Sequence, residues 1–179
     1  MTMRMDPLAT GVLDAAVAEV KTWLRIELGA DDAELTSLTQ SAFAYAEDFC
    51  GQVLIARTGT ETLPMCAEWR RMSATPVRSL SVVNGLPAEG ASFAIAAGSY
   101  AFEIDASGDG WIQVMQPGAA GRISALIIAG LADDWPSLPD GLRQGIVRLA
   151  AHMFAERASD RPPAIVTALW WPWRRMRLA

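Results

Sequence analysis

The hydrophobic pattern changes period twice along this chain, and that limits the folds open to it. In the N-terminal third, apolar side chains recur every three or four positions: Val17, Val20 and Leu24, then Leu35, Leu38, Ala42, Tyr45 and Phe49. That spacing collects them on one helical face. "GADD" at 29–32 breaks the pattern, and Gly51 follows as a C-terminal stop. The spacing predicts helices over about 14–28, capped by Asp14, and about 32–50, capped by Asp31 or Asp32. From about 52 to 130 the segments turn short and β-branched or aromatic: "VLIART", "ETLPM", "VRSLSVVNGL", "SFAIAAGSYAFEID", "GWIQVM" and "GRISALIIAG". Gly, Pro, Asn and Asp separate them, which predicts strands, with hairpin turns at Asn84-Gly85 and at "SGDG" 107–110. Helical spacing returns with Leu142, Ile146, Leu149 and Met153, predicting a helix over about 140–157 capped by Asp140. Pro162 and Pro163 lie beyond it and end any helix. The expected fold is α+β, with one domain over 1–161. Two N-terminal helices and a C-terminal helix form a bundle, a small antiparallel β segment (52–130) is inserted between them, and an extended tail covers 162–179.

Hydrophobic residues make up 51% of the 179, enough for a core. The longest uncharged run, 90–102, is too short to span a bilayer. The opening "MTMRMDPLATG" has no apolar signal core, so no secretory signal is expected. The net charge of −5 is uneven. Residues 161–179 hold Arg161, Arg174, Arg175 and Arg177 and no acid, leaving −9 on the remainder. An acidic body disfavours general phosphate binding. A basic, aromatic tail on such a body points to a partner of its own.

Signs of catalysis are weak. His152 is the single histidine, with Glu156 four residues after it. It lacks a nucleophile and an orienting partner at recognisable spacing, and reads as a packing or hydrogen-bonding residue. Cys50 and Cys66 have no CxxC spacing and read as reduced, partly buried thiols. "DASGDGWI" (105–112) matches the first eight positions of a calcium loop, but Gln116 stands where the bidentate Glu belongs and strands flank it. It reads as an acidic β-turn. The pairs Asp31-Asp32 and Asp133-Asp134 read as helix-start acids. No glycine-rich phosphate loop or nucleophile elbow is present, and neither an enzyme, a cofactor nor a metal is expected.

The tail carries the sharpest signal. Three of the seven tryptophans and three arginines fall within 170–177. In an extended chain the adjacent Trp170 and Trp171 point to opposite faces, so one fold-back surface buries only one of them. Trp and Arg dominate interface energies. Removing 163–179 is therefore expected to leave a folded body. Three other readings stay open: a terminal strand or helix that folds back and buries Trp170, Trp171 and Trp173 in the protein's own core, a small bacterial enzyme or ligand-binding domain whose tail closes a pocket, and a membrane- or nucleic-acid-binding tail. An acidic body disfavours approach to anionic lipid.

Several stretches together resemble head–tail connector, or adaptor, proteins of long-tailed phages and gene transfer agents. They are Lys21, Leu24-Arg25-Ile26, Asp31-Asp32 and Gly51; the stretch from Trp69 to Val83; "LPDGLRQGIVRLAAHMFAER"; and Leu169, Pro172 and Arg174 near the end. The doubled Trp170-Trp171 is richer than the family pattern. The resemblance implies a ring, usually of twelve copies, beneath the portal in the particle neck, synthesised in the bacterial cytoplasm. It implies neighbouring copies, the portal and the next neck protein as partners. DNA passes through the lumen without sequence-specific binding, and no membrane is involved. On this reading Leu169, Trp170, Trp171, Pro172, Trp173, Arg174, Arg175 and Arg177 contact the portal, the tryptophans as apolar anchors.

Overall fold

A computed structural model describes residues 2–65, 67–116, 118–156 and 162–175. The backbone forms two units. A β unit comprises Met1–Pro7 and Ala56–Leu131, and a helical unit comprises Leu8–Ile55 and Ala132–Ala179. The chain is thus α+β, with the β segment inserted between helices. An N-terminal strand joins the β unit.

The β unit contains β1 (Thr2–Met5), β2 (Arg57–Pro64), β3 (Arg70–Arg71), β4 (Val77–Leu86), β5 (Phe93–Ala94), β6 (Tyr100–Ile104), β7 (Gly110–Val114) and β8 (Arg122–Ala129). They form two antiparallel sheets, ordered β1-β2-β8-β4-β5 and β3-β7-β6. β8 lies at the centre of the larger sheet because its alternation is the strongest. Ile123, Ala125, Ile127 and Ala129 are buried on one face, while Ser124, Leu126 and Ile128 are more exposed on the other. The register sets Thr62, Thr60 and Thr58 of β2 opposite those three, and Val82 of β4 opposite Leu126. On the inner face Glu61 is fully buried, and both of its carboxylate oxygens accept from the Ser73 N–H, at 2.7 and 3.0 Å.

Three strand expectations change. "TMRM" is a strand although only four residues long. Its pairing depends on Gly59, where a Cβ would lie 3.1 Å from both the Arg4 oxygen and the Met3 Cε. Asn84-Gly85 is not a turn: both residues lie inside β4, and Gly85 is needed because a Cβ there would come within 2.6 Å of the Phe93 ring. "VLIART" and "ETLPM" are not two strands. Val53, Leu54 and Ile55 are buried in the helical unit, and one strand starts at Arg57. The turn at 107–110 does join a hairpin, between β6 and β7.

The helical unit contains α1 (Thr10–Leu24), α2 (Asp32–Cys50), α3 (Asp140–Ala155) and α4 (Ala164–Trp170). α3 is the central helix: Leu142, Gly145, Ile146, Val147, Leu149, Ala150 and Ala151 are all buried, as expected of a helix covered on most sides. It packs on α1, α2 and α4. Phe43 of α2 meets Trp135 edge-on at 5.5 Å. The indole N–H of Trp135 and the Gln144 amide donate to the two Glu19 oxygens, at 2.9 and 3.2 Å, tying α1 to α3.

Of the expected acidic caps only Asp31 holds its position. α1 starts at Thr10, with the Val12 and Leu13 N–H groups closing onto the Ala9 oxygen, so Asp14 falls in its interior. It stops at Leu24 because Arg25 adopts the left-handed conformation (φ 59°), and the Ile26 N–H returns to the Lys21 oxygen. Asp31 occupies the cap of α2 without a side-chain cap bond. Pro139 caps α3, its oxygen accepting from Leu142 and Arg143, and Asp140 becomes the first helical residue. Asp134 accepts from the Ser137 N–H (2.9 Å) and hydroxyl (2.6 Å) in a local turn, and those two bonds hold its carboxyl below the ordinary value.

Candidate functional site

The C-terminal segment is helical where an extended chain was expected. Pro162 and Pro163 precede α4 instead of ending all regular structure. Proline fits just outside or at the first turn of a helix, where no N–H is required. The Pro163 oxygen accepts the Val166 N–H. Helical spacing then sorts the side chains. Val166 and Trp170 (1% exposed), four apart, face inward, while Ile165 (49%) and Trp171 (63%) face solvent.

Trp170 is held by α3. Its indole lies against Gly145, where any Cβ would overlap the ring, and its N–H donates to the Leu142 oxygen at 3.3 Å. The Phe49 ring is 5.8 Å away. A single turn of 3-10 helix, Trp171–Trp173, follows. The chain is then fastened to the end of α2. The Arg175 N–H donates to the Cys50 oxygen (2.8 Å), and the Gln52 amide donates to the Trp173 oxygen (2.7 Å). The first of these satisfies a carbonyl that a helix terminus leaves unpaired. Gly51, at φ 65°, provides the room, since a Cβ there would meet the Arg175 oxygen at 3.1 Å. Residues up to Arg175 are therefore part of the helical unit. Their removal would expose the Trp170 notch on α3, which argues against the expectation that a chain lacking 163–179 keeps an intact folded body.

The outward side of this segment carries an aromatic and a cation. The Arg174 guanidinium lies 5.4 Å from the Trp171 ring and 5.5 Å from that of Phe49. A cation over an aromatic face is attracted by the ring quadrupole, which fixes its direction. Trp171, Pro172 and Arg174 are exposed, whereas Leu169, Trp173 and Arg175 are half-buried. Arg177 lies outside the described residues. Of the expected contact residues, Trp170 is thus turned into the protein and Trp171 with Arg174 is presented to solvent.

The remaining candidates are used locally. His152 Nδ1 lies 3.7 Å from Glu156 Oε1, one helical turn away. The Cys50 thiol is pushed up to about 12 by burial, reinforced by Glu47, which keeps it protonated and non-nucleophilic at neutral pH. Cys66 lies outside the described residues. Asp105 accepts the Trp111 indole N–H (3.0 Å) and the backbone N–H groups of Ser107 (2.8 Å) and Asp109 (3.0 Å), which lower its pKa. Those bonds close a strand–turn–strand hairpin. Among the described residues no group of three or more His, Cys, Asp or Glu could hold a metal ion, and no helix is long and apolar enough to cross a membrane. The Gly145 notch escaped sequence reasoning, although an interior helical glycine is itself a sign of close packing.

Residues 14–69 match the family model described as phage gp6-like head-tail connector protein. Among solved structures, a chain in the neck of an empty gene transfer agent (GTA) particle computed with C6 symmetry is 26% identical with a TM-score of 0.79. One in the virion of a native GTA particle is 27% identical at 0.78, and one in the neck of a native GTA particle computed with C12 symmetry is 25% identical at 0.78. Each alignment covers 100% of this chain and 98% of the other. No curated protein matches.

Proposed function

We propose that the chain is a head–tail connector of the kind found in phage and gene transfer agent necks, working there as one subunit of a twelve-membered ring beneath the portal. In that position it joins head to tail and lines the channel through which DNA leaves. The observation that carries this reading is the full-length likeness to chains of gene transfer agent necks, one of them a neck computed with C12 symmetry.

The charge distribution supports it. Outside 161–179 the chain carries −9, and an acidic lumen repels the DNA backbone and lets it slide. The C-terminal surface docks on the portal through Trp171, Pro172 and Arg174, with Arg177 beyond them. Trp170 acts from inside: by filling its notch on α3 it holds Trp171 at a fixed angle, so little entropy is lost on docking. Leu169, Trp173 and Arg175 complete the base of this surface. Twelve such contacts in one ring add avidity to a modest single contact.

The test is to mix the purified chain with portal protein and examine the complexes by negative-stain microscopy. Rings capping the portal are expected for the unaltered chain. Trp171→Ala with Arg174→Ala should leave the circular dichroism unchanged and abolish capping, since an interface Trp is commonly worth about 2 kcal/mol or more. Undiminished capping by that variant would place the docking surface elsewhere.

A further inference from the structure

We infer that the outer face of the five-stranded sheet is the seat of a neighbouring copy of this chain, which it holds by the exposed side of that copy's α1 and α2. The inference rests on the ring reading above and names the surfaces that close the ring.

A ring of more than two identical subunits joined by one kind of contact needs two different faces on each subunit. The two units of the chain differ in charge: the β unit has six basic and seven acidic side chains, the helical unit nine and thirteen. The sheet sharpens that difference. Its outer face, set by the register of β1, β2, β8 and β4, presents Arg4, Arg122, Thr60, Leu126, Ile128 and Val82; no residue of these strands on that face is acidic, and the exposed Asp6, which follows β1 and donates its N–H to the Thr58 oxygen, is the one acid at its edge among the described residues. The acid of β2, Glu61, is buried on the opposite face. Val82 is 40% and Ile128 37% exposed, so aliphatic side chains stand in solvent among hydroxyls.

The exposed side of α1 and α2 has the complementary character. Asp14 and the small Ala18 are exposed on α1, and Glu34, Asp48 and the small Ser37, Ser41 and Ala44 on α2. Small side chains let helices lie close on a sheet. Tyr45, 51% exposed, supplies one large side chain to fit between the Leu126 and Ile128 rows. Acids facing Arg4 and Arg122 then fix the register.

The test places a photoreactive benzophenone side chain at position 128 of the full-length protein and irradiates assembled, neck-containing particles. The expected product is a species of twice the chain mass on a denaturing gel, with the cross-link mapping by mass spectrometry to 10–50 of a second copy. A cross-link to another neck protein or to DNA would overturn the inference, as would one between two sheets, or the absence of any. Arg4→Glu with Arg122→Glu should lower the dimer yield on the order of tenfold or more, and Glu34→Arg with Asp48→Arg in the same chain should restore it. Portal capping reports separately on the ring reading. Capping without this cross-link would reject only the present inference, and loss of capping would reject the ring reading beneath it.

Discussion

Gly145→Ala is the substitution whose effect the structure most sharply separates from sequence expectation. Replacing an interior helical glycine by alanine normally stabilises by about 1 kcal/mol, through backbone entropy. Here the new Cβ would stand 2.7 Å from Trp170 Cε2 and 2.8 Å from Cδ1. The indole cannot bend, and its N–H is anchored to the Leu142 oxygen. The cheapest relief is for α4, seven residues long, to lift away and take Trp170 with it. Losing a buried Trp costs about 3–5 kcal/mol, so after the helix-propensity gain the net destabilisation should be about 2–4 kcal/mol. In a Trp170→Ala background the clash is gone, and Gly145→Ala should stabilise by up to about 1 kcal/mol. Urea unfolding followed by far-UV circular dichroism on the four members of this cycle measures the coupling, expected to be about 2 kcal/mol or more. If Gly145→Ala is neutral or stabilising with Trp170 present, or if the two changes are additive, Trp170 does not occupy the notch.

Three further outcomes follow from the same geometry. In a Cys66→Ser background, native Cys50 should not react with a disulfide reagent at pH 8, whereas the urea-unfolded chain should react at once. Its folded pKa is raised above 9.0, so its contribution to stability is complete below pH 9 and is lost as pH rises toward about 12; alkaline unfolding curves of Cys50→Ala should lack that component. The Asp105 carboxyl is shifted the other way, so the hairpin is supported above its ordinary value of 3.8 and loses that support as pH falls through the lower folded value. The Trp111 indole N–H resonance should report a midpoint below 3.8, and Asp105→Asn should abolish the transition. Trp171→Ala alone should change unfolding stability by less than about 0.5 kcal/mol, as exposed positions usually do, while Trp170→Ala should cost several times more by the same urea assay.

Long periodic segments were legible in the sequence. α2 ends at Cys50 with Gly51 after it, and α3 starts at Asp140, as their apolar spacing and glycine stop require. What was hidden depended on close approach between distant residues. Nothing local distinguishes Gly85 in "VNGL" from a hairpin glycine; the difference is the Phe93 ring lying over it. β1 is too short to show a period, and its place depends on Gly59, more than fifty residues away. The tail departs from the expected extended chain in one respect. Pro162 and Pro163 exclude a helix through them but favour one just after them, and in a helix adjacent tryptophans diverge by about 100°, not 180°. Either geometry sends one ring inward and one outward. Only the packing shows that Trp170 is the inward one.

The helical unit is assembled from two stretches of sequence separated by the insert Ala56–Leu131. During synthesis α1 and α2 leave the ribosome long before α3, which packs on both in the finished protein. At about 5–20 residues per second the insert alone takes on the order of 4–15 s to make, far longer than a helical hairpin needs to form. For that interval the hairpin is amphipathic and half-finished, while most of the strands that will form the β unit arrive in one uninterrupted stretch and can pair among themselves. Completion of the bundle therefore waits for the segment that also presents Trp171. On the docking proposed above, a subunit whose core is unfinished offers the portal no ordered surface, which couples completion of folding to assembly.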